Sequence, residues 1–150
     1  MSRVDDATGF FRSGHACSQA ILLAWAPEYG LDAGLAARLS AGFAAGMRLG
    51  DVCGAATGAI MVLGVAMCGE ECVTREGRAA VASATSQFAE KFRGRAGALD
   101  CPDIIGCDLR TTEGRAEAQE QSLFATRCAP AVRAAAGILE DMLAAPDPSV

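Results

Sequence analysis

Apolar positions along the chain recur at helical spacing, and nothing alternates at period two for long. β-Branched and aromatic residues are sparse, so strands are poorly supported. The pattern predicts a short helix from Asp5 to Arg12, ending near Ser13-Gly14. A second, from about His15 to Ala26, places Cys17, Ile21, Ala24 and Trp25 on one face and stops at Pro27 and Gly30. A third runs from about Asp32, its cap, to Phe43, with Leu35, Leu39 and Phe43 four apart. The polar break Arg48-Leu49-Gly50-Asp51 reads as a turn, with Asp51 capping a central helix from near Val52 to about Met67. Cys68-Gly69-Glu70-Glu71-Cys72 closes that helix. Thr74 opens a long one to about Phe92, with Val81, Thr85, Phe88 and Phe92 as its stripe. Arg93 to Gly97 reads as a turn, and Asp100-Cys101-Pro102-Asp103 as the cap and first turn of a short helix ended by Gly106-Cys107-Asp108. A polar stretch follows, with an exposed helix around Glu113 to Gln121. The last helix begins at Thr126 to Pro130 and turns Val132, Ala135, Leu139 and Leu143 inward. The expected fold is all-α: one domain over residues 1–145, a bundle of about five to seven helices around the central Gly/Ala-rich helix, then a disordered tail at 146–150.

Composition refines this picture. Of 150 residues, 51% are hydrophobic but only 5% aromatic, so Ala, Leu, Val, Ile and Met must fill the core, which suits close helix packing. Val52 to Gly69 is uncharged and about as long as the shortest membrane spans. Its Gly and Ala content, its acidic flanks and its lack of basic anchors or an aromatic belt make it a buried helix instead. A net charge of −5 with no basic run argues against nucleic acid as a partner. Seven cysteines behind a charged N-terminus that lacks an apolar leader point to the cytoplasm. There, spaced cysteines more often bind metal or cycle redox state than build a static disulfide frame.

The cysteines sort by position. Cys17, Cys53, Cys101 and Cys128 fall in or just beyond the first turn of a predicted helix, whereas Cys68 lies at a helix end and Cys72 and Cys107 in connections. Unpaired N–H groups and the dipole at a helix start favour thiolate over thiol, so these four are the candidates for reactive thiols or metal thiolates, with Cys53 foremost. Each is also, on the plainer reading, a small buried hydrophobe. Cys68 and Cys72, spaced C-x3-C, are a metal pair, a disulfide pair or incidental. His15, the single histidine, reads as a polar residue at a helix start and is the one available member of any Cys-His pair. Gly54 and Gly58, one turn apart, leave a groove for another backbone or a ligand, such as a cofactor. Gly46 to Gly50 lacks the ending of a phosphate loop and follows a helix.

Cys17 within Phe-Arg-Ser-Gly-His-Ala-Cys-Ser-Gln-Ala, the run Cys53-Gly54-Ala55-Ala56-Thr57-Gly58, then Cys101 and Cys128, together resemble the C-GCAxxG-C-C family of redox-active proteins. The likeness spans roughly Phe10 to Leu143 and carries the CGAxxG core intact. It implies a small bacterial helical protein with redox function; Cys68, Cys72 and Cys107 lie outside the family's pattern.

The expected function is therefore that of a redox protein whose four helix-start cysteines converge at one end of a bundle. Two chemistries fit. The four thiolates ligate an iron–sulfur cluster, for electron transfer or redox sensing. Alternatively, Cys53 attacks and a neighbour resolves it, giving thiol–disulfide exchange of an oxidoreductase kind. Structural zinc on the same sulfurs is a third arrangement. The partner would be a redox protein or a small thiol, and a homodimer is open. The reading from another class is a non-catalytic interaction module whose glycine groove receives a partner helix.

Overall fold

The computed structural model describes residues 2–144, so the tail at 146–150 lies outside the described residues. Among the described residues eight α-helices follow one another, where about five to seven were expected: α1 (Arg3–Arg12), α2 (Cys17–Trp25), α3 (Ala33–Ser40), α4 (Gly54–Met67), α5 (Arg75–Ala96), α6 (Cys101–Ile105), α7 (Thr112–Glu120) and α8 (Ala129–Ala144). Among the described residues no strand forms. One isolated antiparallel bridge joins Val52 to Asp100. Among the described residues no helix is long and apolar enough to cross a membrane.

The core is built on α2 against α4. Ile21, Leu22, Ala24 and Trp25 of α2 meet Ala55, Ala56, Ala59, Val62 and Leu63 of α4, all buried. A helix apolar on every side must be enclosed, and α4 is covered by α2, α5 and α8. Its closeness to α2 rests on small residues. A Cβ added at Gly58 would stand 2.8 Å from the Ser18 carbonyl oxygen and 3.1 Å from the Ile21 Cβ. The predicted groove is thus filled by the chain's own second helix. From α5, Phe88 and Phe92 are fully buried, with rings nearly parallel and centroids 5.7 Å apart. From α8, Val132, Ala135 and Leu139 face inward as the pattern predicts.

Four boundaries or faces differ from the sequence reading. First, Asp51 does not cap α4. Residues 51–53 are extended because Cys53 N–H donates to Leu99 O (2.9 Å) and Cys101 N–H to Asp51 O (2.8 Å), so the cap falls to Cys53 itself, at φ −50° and ψ 136°. Second, α5 continues through Arg93-Gly94-Arg95 to Ala96 before Gly97 ends it. Cations suit the negative end of a helix, and Arg95 reaches Asp141 of α8 at 3.1 Å. Third, Leu35, Leu39 and Phe43 are 43%, 55% and 38% exposed, because α3 docks by its other, smaller face. On that face Ser18 Oγ donates to Ser40 O (2.7 Å) and Gln19 Nε2 to Ala37 O (3.0 Å). Fourth, a π-helical turn, Phe124–Cys128, precedes α8.

Two glycines of α4 should respond in opposite ways. Gly58→Ala forces a methyl onto the Ser18 carbonyl and should cost about 1–3 kcal/mol. Gly64→Ala meets nothing within 4 Å and should gain about 0.5–1 kcal/mol from helix propensity. Thermal denaturation of the two variants checks this; equal shifts would contradict the close approach of α2 at Gly58.

Candidate functional site

Cys17, Cys53, Cys101 and Cys128 line one cavity of about 360 Å³, whose walls also include Phe11, His15, Arg48, Ile105 and Phe124. Each thiol arrives by a different local device. Cys17 is the first residue of α2, Cys53 the cap of α4 and Cys101 the first residue of α6, and Cys128 closes the π-helical turn before α8. The bridge at Val52 and Asp100 holds Cys53 and Cys101 on neighbouring strands of backbone, so the starts of α4 and α6 stand side by side.

Cys17 and Cys53 share a hydrogen bond, and the proton between them is unequally held. The Cys53 S–H donates to Cys17, and burial opposes the charge, but the backbone N–H groups of Ala45, Ser18 and Cys17 itself add to the donation and bring the Cys17 pKa down to about 7. Cys53 is pushed well above the ordinary thiol value, first by serving Cys17 as donor, then by burial and by the neighbouring Cys17 charge. A pair sharing one site cannot ionise twice at little cost, and the member with more N–H donors takes the charge. The sequence reading put Cys53 foremost among the four; the pKa is lowered at Cys17 and raised at Cys53. Burial pushes Cys101 up to about 11 and Cys128 up to about 12, with the Cys17 charge adding to each. A helix start alone therefore does not set these thiols, because desolvation outweighs the dipole at two of them.

The family model described as "Putative redox-active protein (C_GCAxxG_C_C)" matches residues 15–142. The chain belongs to this family. No curated protein and no solved structure matches it. In this C_GCAxxG_C_C protein the motif glycine next to the central cysteine has a steric reason: a Cβ at Gly54 would overlap the Cys17 Sγ and stand 3.2 Å from the Phe43 carbonyl oxygen. Gly54 borders the cavity, whereas the space over Gly58 is taken by α2, which leaves no approach there for a cofactor.

Part of the cavity wall is a left-handed turn. Ala45, Gly46, Met47 and Arg48 all have φ between 55° and 64°, which costs roughly 1–2 kcal/mol for each residue bearing a Cβ. Gly46 is needed here for a second reason, since a Cβ on it would lie 2.7 Å from the Asp51 carbonyl oxygen and 2.9 Å from the Cys101 Cβ. The turn aims the Ala45 N–H at Cys17. Strained backbone held beside a reactive group is how such sites keep a donor preorganised.

Sequence reasoning did not place Arg48 at the site, and it named His15 only as the one histidine available to a Cys-His pair. His15 Nδ1–H donates to the Phe10 carbonyl at 3.1 Å, and its ring meets Phe10 edge-on at 5.3 Å, which fixes it at the cavity wall two residues from Cys17. Arg48 is exposed at the rim and makes no hydrogen bond or ion pair among the described residues. Cys68 and Cys72 stand elsewhere, disulfide-bonded at the far end of α4 with Cα atoms 4.9 Å apart.

The four cavity cysteines do not make a ready ligand set. Among the described residues no three of His, Cys, Asp or Glu stand close enough to hold a metal ion. Four thiolates around an iron–sulfur cluster or zinc would need the site to regroup, and the hydrogen bond between Cys17 and Cys53 uses a proton that ligation would have to expel.

Three outcomes follow from this geometry. Alkylation of Cys17 by iodoacetamide, followed by peptide mass mapping, should rise with pH to half its maximum near 7 and flatten above, while the other cavity thiols react only at more alkaline pH. Cys53→Ala removes the S–H donor and should move the Cys17 midpoint upward, toward the ordinary value of about 8.5; a midpoint unmoved by this change would contradict the shared proton. Arg48→Gly relieves one left-handed residue and should raise stability by about 1 kcal/mol in denaturant unfolding.

Proposed function

We propose that this protein reduces disulfides by thiol–disulfide exchange, with Cys17 as the attacking thiol and Cys53 as the resolving one. The observation that carries the reading is that Cys17 and Cys53 border the same cavity, with the Cys17 pKa lowered to about 7 and that of Cys53 raised. A thiol whose pKa lies near ambient pH is the best attacker, because thiolate fraction and intrinsic nucleophilicity trade against each other. The cavity is lined mainly by carbon, so a small disulfide fits its chemistry.

The steps balance. The Cys17 thiolate attacks one sulfur of a substrate disulfide R–S–S–R′, forming Cys17–S–S–R and releasing R′–S⁻. Cys53 then attacks the Cys17 sulfur, closing a Cys17–Cys53 disulfide and passing its proton to the departing R–S⁻. The substrate gains two electrons and the cysteine pair loses two. Cys101 and Cys128, held as thiols, border the same cavity.

Hydroxyethyl disulfide added to the reduced protein tests the assignment. Acid quenching, alkylation and peptide mapping should find the Cys17–Cys53 disulfide in the wild type. In Cys53→Ser the reaction should stop at a mercaptoethanol adduct on Cys17, and Cys17→Ser should lose at least tenfold in rate. If Cys17→Ser reacts as fast as wild type, the assignment is wrong.

A further inference from the structure

The cysteine outside the family pattern that packs against the site is Cys107. It is half-buried and belongs to a second apolar cluster with Cys101, Ile105, Leu109 and Ala118, which Cys128 also joins. Cys101 and Cys128 line the cavity, and Cys107 does not. The cluster therefore has an inner side of two cavity thiols and an outer side that includes Cys107.

The short helix between them explains the juxtaposition. α6 begins at Cys101 and ends at Gly106, which is left-handed (φ 87°, ψ 13°) and donates its N–H to the Pro102 carbonyl at 2.8 Å. The chain reverses at this left-handed residue, and Cys107, which follows it, packs against the apolar cluster that contains Cys101.

We propose that Cys107 forms a second exchange pair with Cys101, through which the cavity disulfide is passed outward to an external protein dithiol too large to enter. The proposal rests on the thiol–disulfide reading above. Cys101 attacks the Cys53 sulfur of the Cys17–Cys53 disulfide, giving a Cys53–Cys101 disulfide; Cys17 leaves as thiolate and the Cys101 proton goes to solvent. Cys107 attacks the Cys101 sulfur, closing Cys101–Cys107, and Cys53 leaves and takes the Cys107 proton. An external dithiol then attacks the Cys107 sulfur, and its second thiol closes its own disulfide, leaving Cys101 and Cys107 reduced. One substrate disulfide is consumed and one partner disulfide is made. The direction follows from the leaving group, because the thiol of lowest pKa departs most readily from a disulfide. Cys17 is that thiol, and Cys107 is itself raised, by burial first and then by Glu117 and Asp108.

The test is a time course on the full chain. Reduced protein receives one equivalent of hydroxyethyl disulfide, is quenched with acid and is mapped by mass spectrometry. Cys17–Cys53 should appear first and Cys101–Cys107 later, at its expense. In Cys107→Ser the Cys17–Cys53 disulfide should persist, and its reduction by reduced thioredoxin, used as the protein dithiol, should slow at least tenfold. Dithiothreitol, small enough for the cavity, reports separately that this disulfide is reducible in the folded variant. If Cys17–Cys53 forms and Cys101–Cys107 never does, or if thioredoxin reduces the variant at the wild-type rate, the relay is overturned and the exchange reading stands. If Cys17–Cys53 never forms, both fall.

Discussion

The site depends on how closely the backbones of α2 and α4 approach one another. That distance is set by absent side chains: Gly58 accepts the Ser18 carbonyl, and Gly54 accepts the Cys17 sulfur. Move either helix out by the width of a methyl group and Cys17 loses its contact with the Cys53 thiol. Packing and chemistry are then the same constraint, because the helix pair that forms the core also positions the two sulfurs. In this protein the CGAxxG motif is first a statement about interhelical distance.

Around that pair the chain places two devices that core packing alone would not require. One is the antiparallel bridge between residues 51–53 and 99–101, which holds two helix starts together by backbone hydrogen bonds. The other is the left-handed turn at Ala45–Arg48, unfavourable in itself, which the bridge stabilises through the bond from Asp51 N–H to the Gly46 carbonyl at 3.1 Å. Together they deliver the Ala45 N–H to Cys17, and so a local cost is carried by the rest of the fold.

Much of this was legible in the sequence. The all-α fold, the caps at Asp32 and Thr74, the inward face of α8 and the sorting of cysteines by helix start follow from period, capping residues and glycine placement. What escaped is non-local. Asp51 looks like a cap until residues 99–101 arrive and draw it into extended pairing. Leu35 and Leu39 form a proper apolar stripe, yet α3 docks by Ser40 and Ala37, whose hydrogen bonds with α2 no periodicity reveals. The choice between Cys17 and Cys53 turns on how many N–H donors reach each sulfur, and one of Cys17's comes from a strained turn remote in sequence. The helix-start rule locates these thiols but does not rank them, because burial enters with the opposite sign.

The cavity cysteines are also spread along the chain, at residues 17, 53, 101 and 128, with helices between each pair. Contacts between such distant positions form late, because long loops must close before they are rewarded. Until then each cysteine is a solvated thiol of ordinary pKa, and no member of the set is marked as nucleophile. The Cys17 thiolate is thus a property of the finished tertiary structure. In an unfolded chain the Cys17 thiol lacks the neighbours that lower its pKa.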